Sequence, residues 1–113
     1  MRIHNLLPTP KYFHMFVHNV FFWLKDKESA EAQKALYDGI KTLEAIESIK
    51  SVYIGTPAST RRPVIDASYD FAEILIFDDE AGHDVYQVHP LHKKFVEECA
   101  HLWEKVVIYD VEA

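Results

Sequence analysis

Several kinds of chemistry are missing from this chain of 113 residues. It has one cysteine, Cys99, so no disulfide can form within it. Its three glycines do not form the clustered loop that cradles a nucleotide phosphate. Acidic residues outnumber basic ones and leave a net charge of −6, which gives no positive field to draw in nucleic acid. No apolar run approaches the roughly 20 residues of a spanning helix. The opening Met1 to Pro8 is too short and too broken by proline for a secretory signal. A cytoplasmic protein is the expectation, with neither a nucleic-acid nor a membrane partner.

What is present fits one folded domain. About half the residues are apolar, and the length suits a single modest core. Residues 1–13 carry Pro8 and Pro10 without a clear period, so they read as an N-terminal arm before a domain of residues 14–113. Residues 15–24 alternate as a strand, with Phe16, His18, Val20, Phe22 and Leu24 on one face and Val17, Asn19, Phe21 and Trp23 on the other. Ala32, Leu36, Ile40, Leu43 and Ile46 recur at helical steps over residues 29–48, with Ser29 or Asp26 as the cap. Gly39 inside that helix points to a close approach between helix and sheet.

A short strand at residues 51–55 and a polar loop at 56–68, a candidate lid, lead to a strand at 69–77. Tyr69, Phe71, Leu75 and Phe77 share one face of it with Glu73, which needs a polar partner or an open mouth. Asp78, Asp79 and Glu80 cap a short helix ending near Gln87, Pro90 starts another, and residues 103–111 close the chain as a strand. The order β-α-β-β-α-β is that of a ferredoxin-like α+β domain: a four-stranded antiparallel sheet with its helices on one face. The strands are apolar on both faces, so a second copy is the expected cover, two sheets forming a dimeric α+β barrel.

Tyr86, His89 and His92 surround Pro90. His92 falls in the first turn of a helix, where the dipole disfavours a charged imidazole. A neutral imidazole beside a phenol is equipped to remove a proton next to a carbonyl. Competing readings are a helix cap for His89 and a hydrogen-bonded core residue for His18. His4, His14, His83 and His101 are read as surface or packing residues, and Cys99 as a buried thiol. A metal set of His89 and His92 with His18 or Glu73 crosses a proline and matches no strong signature, so no metal and no cofactor are expected.

The chain resembles the stress-responsive A/B barrel (Dabb) family. The resemblance rests on the His18-Asn19-Val20-Phe21-Phe22 strand, Gly55, the Tyr86-x-x-His89-Pro90-x-His92 box and Trp103-Glu104-Lys105-Val106 before Asp110. It implies a homodimer. Similarity to the plant polyketide cyclases that form olivetolic acid implies His92 as base, with Tyr86 assisting and His18 nearby. A small apolar or aromatic carbonyl compound would then be held with help from Phe16, Phe22, Phe71, Glu73, His89 and Leu91, in a closed pocket reached near His92. A non-catalytic stress-protection or interaction dimer and a cofactor-free monooxygenase are the alternatives.

Overall fold

The computed structural model describes residues 15–113; the arm expected at 1–13, with His4, lies outside them, and so does His14. The strands are β1 (Phe16–Leu24), β2 (Ile49–Gly55), β3 (Phe71–Phe77) and β4 (Trp103–Glu112). The helices are α1 (Ala30–Lys41), α2 (Glu80–Gln87) and α3 (Pro90–Cys99), with single 3-10 turns after α1 and α3. The sheet order is β2-β3-β1-β4, antiparallel throughout. The ferredoxin-like architecture expected from the pattern is present, its last helical segment divided in two at His89-Pro90.

Local chemistry sets the boundaries. The Ser29 hydroxyl accepts from the Ala32 N–H at 3.0 Å and opens α1. Asp79 does the same for Gly82 at 2.9 Å in α2. Pro90 lacks the N–H that would continue α2, and its fixed φ suits the first position of α3.

Phe22, Leu24, Leu36, Ile40, Leu43, Leu75 and Phe77 are all but sealed from solvent in one core between the sheet and its helices. Each such side chain contributes on the order of 1.5–3 kcal/mol by leaving water. Gly39 does make a close approach, but to α3 rather than to the sheet: a Cβ there would meet Cys99 Sγ at 2.5 Å and Phe95 at 3.2 Å.

Among the described residues, no helix covers the face opposite the helices, and it is left bare. Val17, Phe21 and Trp23 of β1, Ile74 and Ile76 of β3 and Val107 and Tyr109 of β4 lie on it, none fully buried. Tyr69 belongs to this side, not beside Phe71. The strand starts only at Phe71, after Asp70 has turned the chain by donating its N–H to Phe22 O and accepting from Leu24 N. Tyr69 therefore packs edge-on against Phe21, with ring centroids 5.0 Å apart.

Candidate functional site

Antiparallel register carries the site from the strands. His18 on β1 sits opposite Leu75 on β3 and Asp110 on β4, and Val20 sits opposite Glu73. All of these point toward the helices. Above them α2 supplies Tyr86 and α3 supplies His92, whose rings lie 4.5 Å apart; Tyr86 also meets the His18 ring at 5.5 Å. Between sheet and helices remains a pocket of about 220 Å³.

His18, Glu73, Tyr86 and His92 line this pocket together with Phe22, Phe95 and Trp103. Its volume lies below the roughly 300–1,000 Å³ of most ligand sites, so it suits a small molecule. It is not closed: Val106 and Ile108 of the edge strand β4 also line it, and they are 40% and 48% exposed. The cavity lies inside one chain, under α2 and α3, rather than in a space between two sheets. None of residues 56–70 lines it, so the loop read as a lid stands elsewhere.

Burial controls the electrostatics. His18 is 3% exposed, and its Nδ1 donates to Asp110 Oδ1 at 2.5 Å. Desolvation outweighs the carboxylate and lowers the His18 pKa below the ordinary 6.5. A neutral His18 facing a carboxylate must carry its proton on Nδ1, which leaves Nε2 as an acceptor. His92 is also lowered, first by desolvation, with the Gln87 backbone carbonyl acting in the opposite sense. Desolvation lifts the Tyr86 phenol above its ordinary range, with Glu73 and Asp110 adding to the effect, so the hydroxyl stays protonated. Glu73 is 1% exposed, its Oε2 has no partner among the described residues, and desolvation pushes its pKa up to about 8.

The other expected ligand-binding residues stand elsewhere. Phe16 stacks on His83 at 4.6 Å, Phe71 and Leu91 pack against the core, and His89 Nδ1 accepts from the Leu91 N–H as the α3 cap. None of the four lines the pocket. His83, read from sequence as a surface or packing residue, is buried among Phe16, Phe77, His18 and Tyr86, with Nε2 unpartnered among the described residues. Its spacing of three from Tyr86 on a short amphipathic helix was the available signal.

Among the described residues, His18, His83 and Asp110 gather donor atoms within 4.8 Å of one another. This differs from the His89 and His92 set weighed from sequence. Two zinc bonds of about 2.0–2.1 Å span at most about 4.2 Å, so a metal would require these packed rings to draw inward. A second pocket, about 210 Å³, lies on the bare face among Phe21, Trp23, Tyr69 and Tyr109. Among its described lining residues Asp66 and Lys105 are the charged ones, and none is a histidine.

The four-stranded antiparallel sheet with its helices on one face defines the class, a ferredoxin-like α+β protein. The family model described as the stress responsive A/B barrel domain matches residues 16–113, and the chain belongs to that family. A Dabb-family protein with a ferredoxin-like fold from Mesorhizobium loti is 31% identical, with 87% of this chain and 95% of that one covered, at a TM-score of 0.71. Two more distant solved structures share the fold. One is a dimeric ferredoxin-like protein from Thermobifida fusca, 22% identical over 88% of this chain and 92% of that one, TM-score 0.72. The other is a hydroxynitrile lyase from Passiflora edulis, 20% identical over 88% and 93%, TM-score 0.72. No curated protein matches the chain. No described helix is long and apolar enough to cross a membrane.

Proposed function

We propose that this chain forms a homodimer that binds a small apolar or aromatic carbonyl compound in the His92 pocket, with the residues for a cyclase-like lyase step. The observation that carries the reading is the meeting of His18, Tyr86 and His92 on the wall of one largely apolar cavity. Neutral His92 takes the proton from the carbon next to the carbonyl, and the C–H electron pair becomes an enolate. Tyr86, held protonated, donates to the enolate oxygen. The enolate carbon then attacks a second carbonyl of the same molecule, and the proton on His92 passes to the new alkoxide. The fold is compatible with lyase chemistry, since the Passiflora edulis hydroxynitrile lyase shares it.

The dimer rests on the bare sheet face. Val17, Phe21, Trp23, Ile74, Ile76 and Val107 form an apolar surface that no other described residues of the chain cover, and β4 is an exposed edge beside it. Structural neighbours from Thermobifida fusca and Bacteroides fragilis are described as dimeric. A second reading, a binding dimer without catalysis, is favoured by His18 being already engaged by Asp110.

Hydrogen–deuterium exchange at the methyl group of acetophenone in D2O separates the two. The catalytic reading expects the wild-type protein to accelerate exchange and His92→Gln to lose roughly a hundredfold or more of that acceleration, the usual scale of a general base. Equal rates for the two proteins would leave binding alone.

A further inference from the structure

Glu73 is an anomaly on its strand. Its neighbours on the same face are Phe71, Leu75 and Phe77, and in register it lies between Val20 and Ile54. A valine or leucine would pack there at no electrostatic cost. Instead the sequence places a carboxyl that is 1% exposed, has an oxygen without a partner among the described residues and lines the pocket. Buried polar groups find partners as a rule, and this oxygen finds none among the described residues.

Resting on the ligand-binding reading above, we propose that Glu73 is the specificity-determining residue of the pocket. Its carboxylic acid donates a hydrogen bond to an uncharged oxygen of the ligand, a carbonyl or a hydroxyl, from the sheet side of the cavity, while His92 and Tyr86 engage it from the helices. Among the described residues the pocket lining has neither lysine nor arginine, so a ligand carboxylate would meet no countercharge from them. The preferred ligand is therefore a neutral oxygen compound, not an organic acid.

Burial supports the protonated form, since the Glu73 pKa is pushed up to about 8. The polar and titratable groups gathered around it are His18 on β1, Asp110 on β4, His83, Tyr86 and Gln87 on α2 and His92 on α3; its β2 neighbour, Ile54, is apolar. His18 and His92 are held below the ordinary imidazole range and Tyr86 above the ordinary phenol range. Among these shifted groups, Glu73 is the one that changes charge between pH 7 and pH 9.

The test is NMR titration of the full chain with acetophenone, benzoate and benzylamine, following the His92 and Tyr86 signals. Wild type should bind acetophenone tightest of the three, about tenfold more weakly at pH 9 than at pH 7 as the acid form is lost. Glu73→Gln, which keeps a donor, should bind it with no such loss. Glu73→Met, close in shape but without a donor, should bind roughly fivefold to tenfold more weakly at pH 7. Equal binding by wild type and Glu73→Met would overturn the role of Glu73 and leave the pocket reading standing. Tightest binding of benzylamine would overturn it in favour of a carboxylate that receives cations. No response at His92 and Tyr86 to any probe would remove both readings.

Discussion

His18 on β1 and Asp110 on β4 are register partners, and the bond between them, His18 Nδ1 to Asp110 Oδ1 at 2.5 Å, fixes which imidazole nitrogen is free. Asp110 raises the His18 pKa against a larger desolvation effect. Replacing Asp110 by asparagine should therefore move the His18 midpoint, followed by NMR, further down. An unchanged or higher midpoint would mean that the pair does not set the state of the ring.

Stability should depend on pH through Glu73. Its folded pKa of about 8 exceeds the ordinary 4.5, so the fold binds this proton more tightly than the unfolded chain and loses stability as pH rises between those values. His18 and His92 act oppositely: lowered from 6.5, they cost stability as pH falls through 6.5. Between pH 6.5 and 8 the slope due to these groups belongs to Glu73 and approaches about 1.4 kcal/mol per pH unit. Urea unfolding of Glu73→Met should lack that slope. Parallel pH profiles for mutant and wild type would contradict it.

Gly39→Ala tests the contact between α1 and α3. The added methyl gains about 1 kcal/mol in helix propensity, but it meets Cys99 Sγ at 2.5 Å and Phe95 at 3.2 Å. Overpacking of that kind costs about 1–3 kcal/mol. Urea unfolding should show a net loss, partly restored in a Gly39→Ala, Cys99→Ala double variant. No recovery would place the strain elsewhere.

The two faces of β4 should respond differently to charge. Val107 points to the bare face and Ile108 into the pocket wall. Val107→Asp should yield monomers in light scattering, whereas Ile108→Asp should remain dimeric and lose acetophenone binding. The reverse pattern would put the dimer contact on the helix side.

Much of this fold was legible because its signals are local. Alternation in residues 15–24, the apolar stripe from Ala32 to Ile46 and Pro90 as a helix start each depend on near neighbours. The site was legible in part, since the Tyr86 to His92 box and the side of the strand carrying His18 and Glu73 follow from spacing. What spacing does not give is how far a residue stands from the open end of the pocket. Phe16, Phe71 and Leu91 are therefore on the expected side yet packed away, and His89 is spent on a cap. The partnership of His18 with Asp110 and the burial of His83 needed strand register and helix docking, which arise only from the assembled chain.

The most direct measurement is a crystal structure of the chain grown with acetophenone. The expected result is the ketone in the cavity beneath α2 and α3, its ring against Phe22, Phe95 and Trp103 and its oxygen within hydrogen-bond reach of Tyr86 or Glu73, in a dimer joined through the bare sheet face. Ketone bound only among Phe21, Trp23 and Tyr69, with the His92 cavity filled by protein side chains, would contradict the assignment of the site.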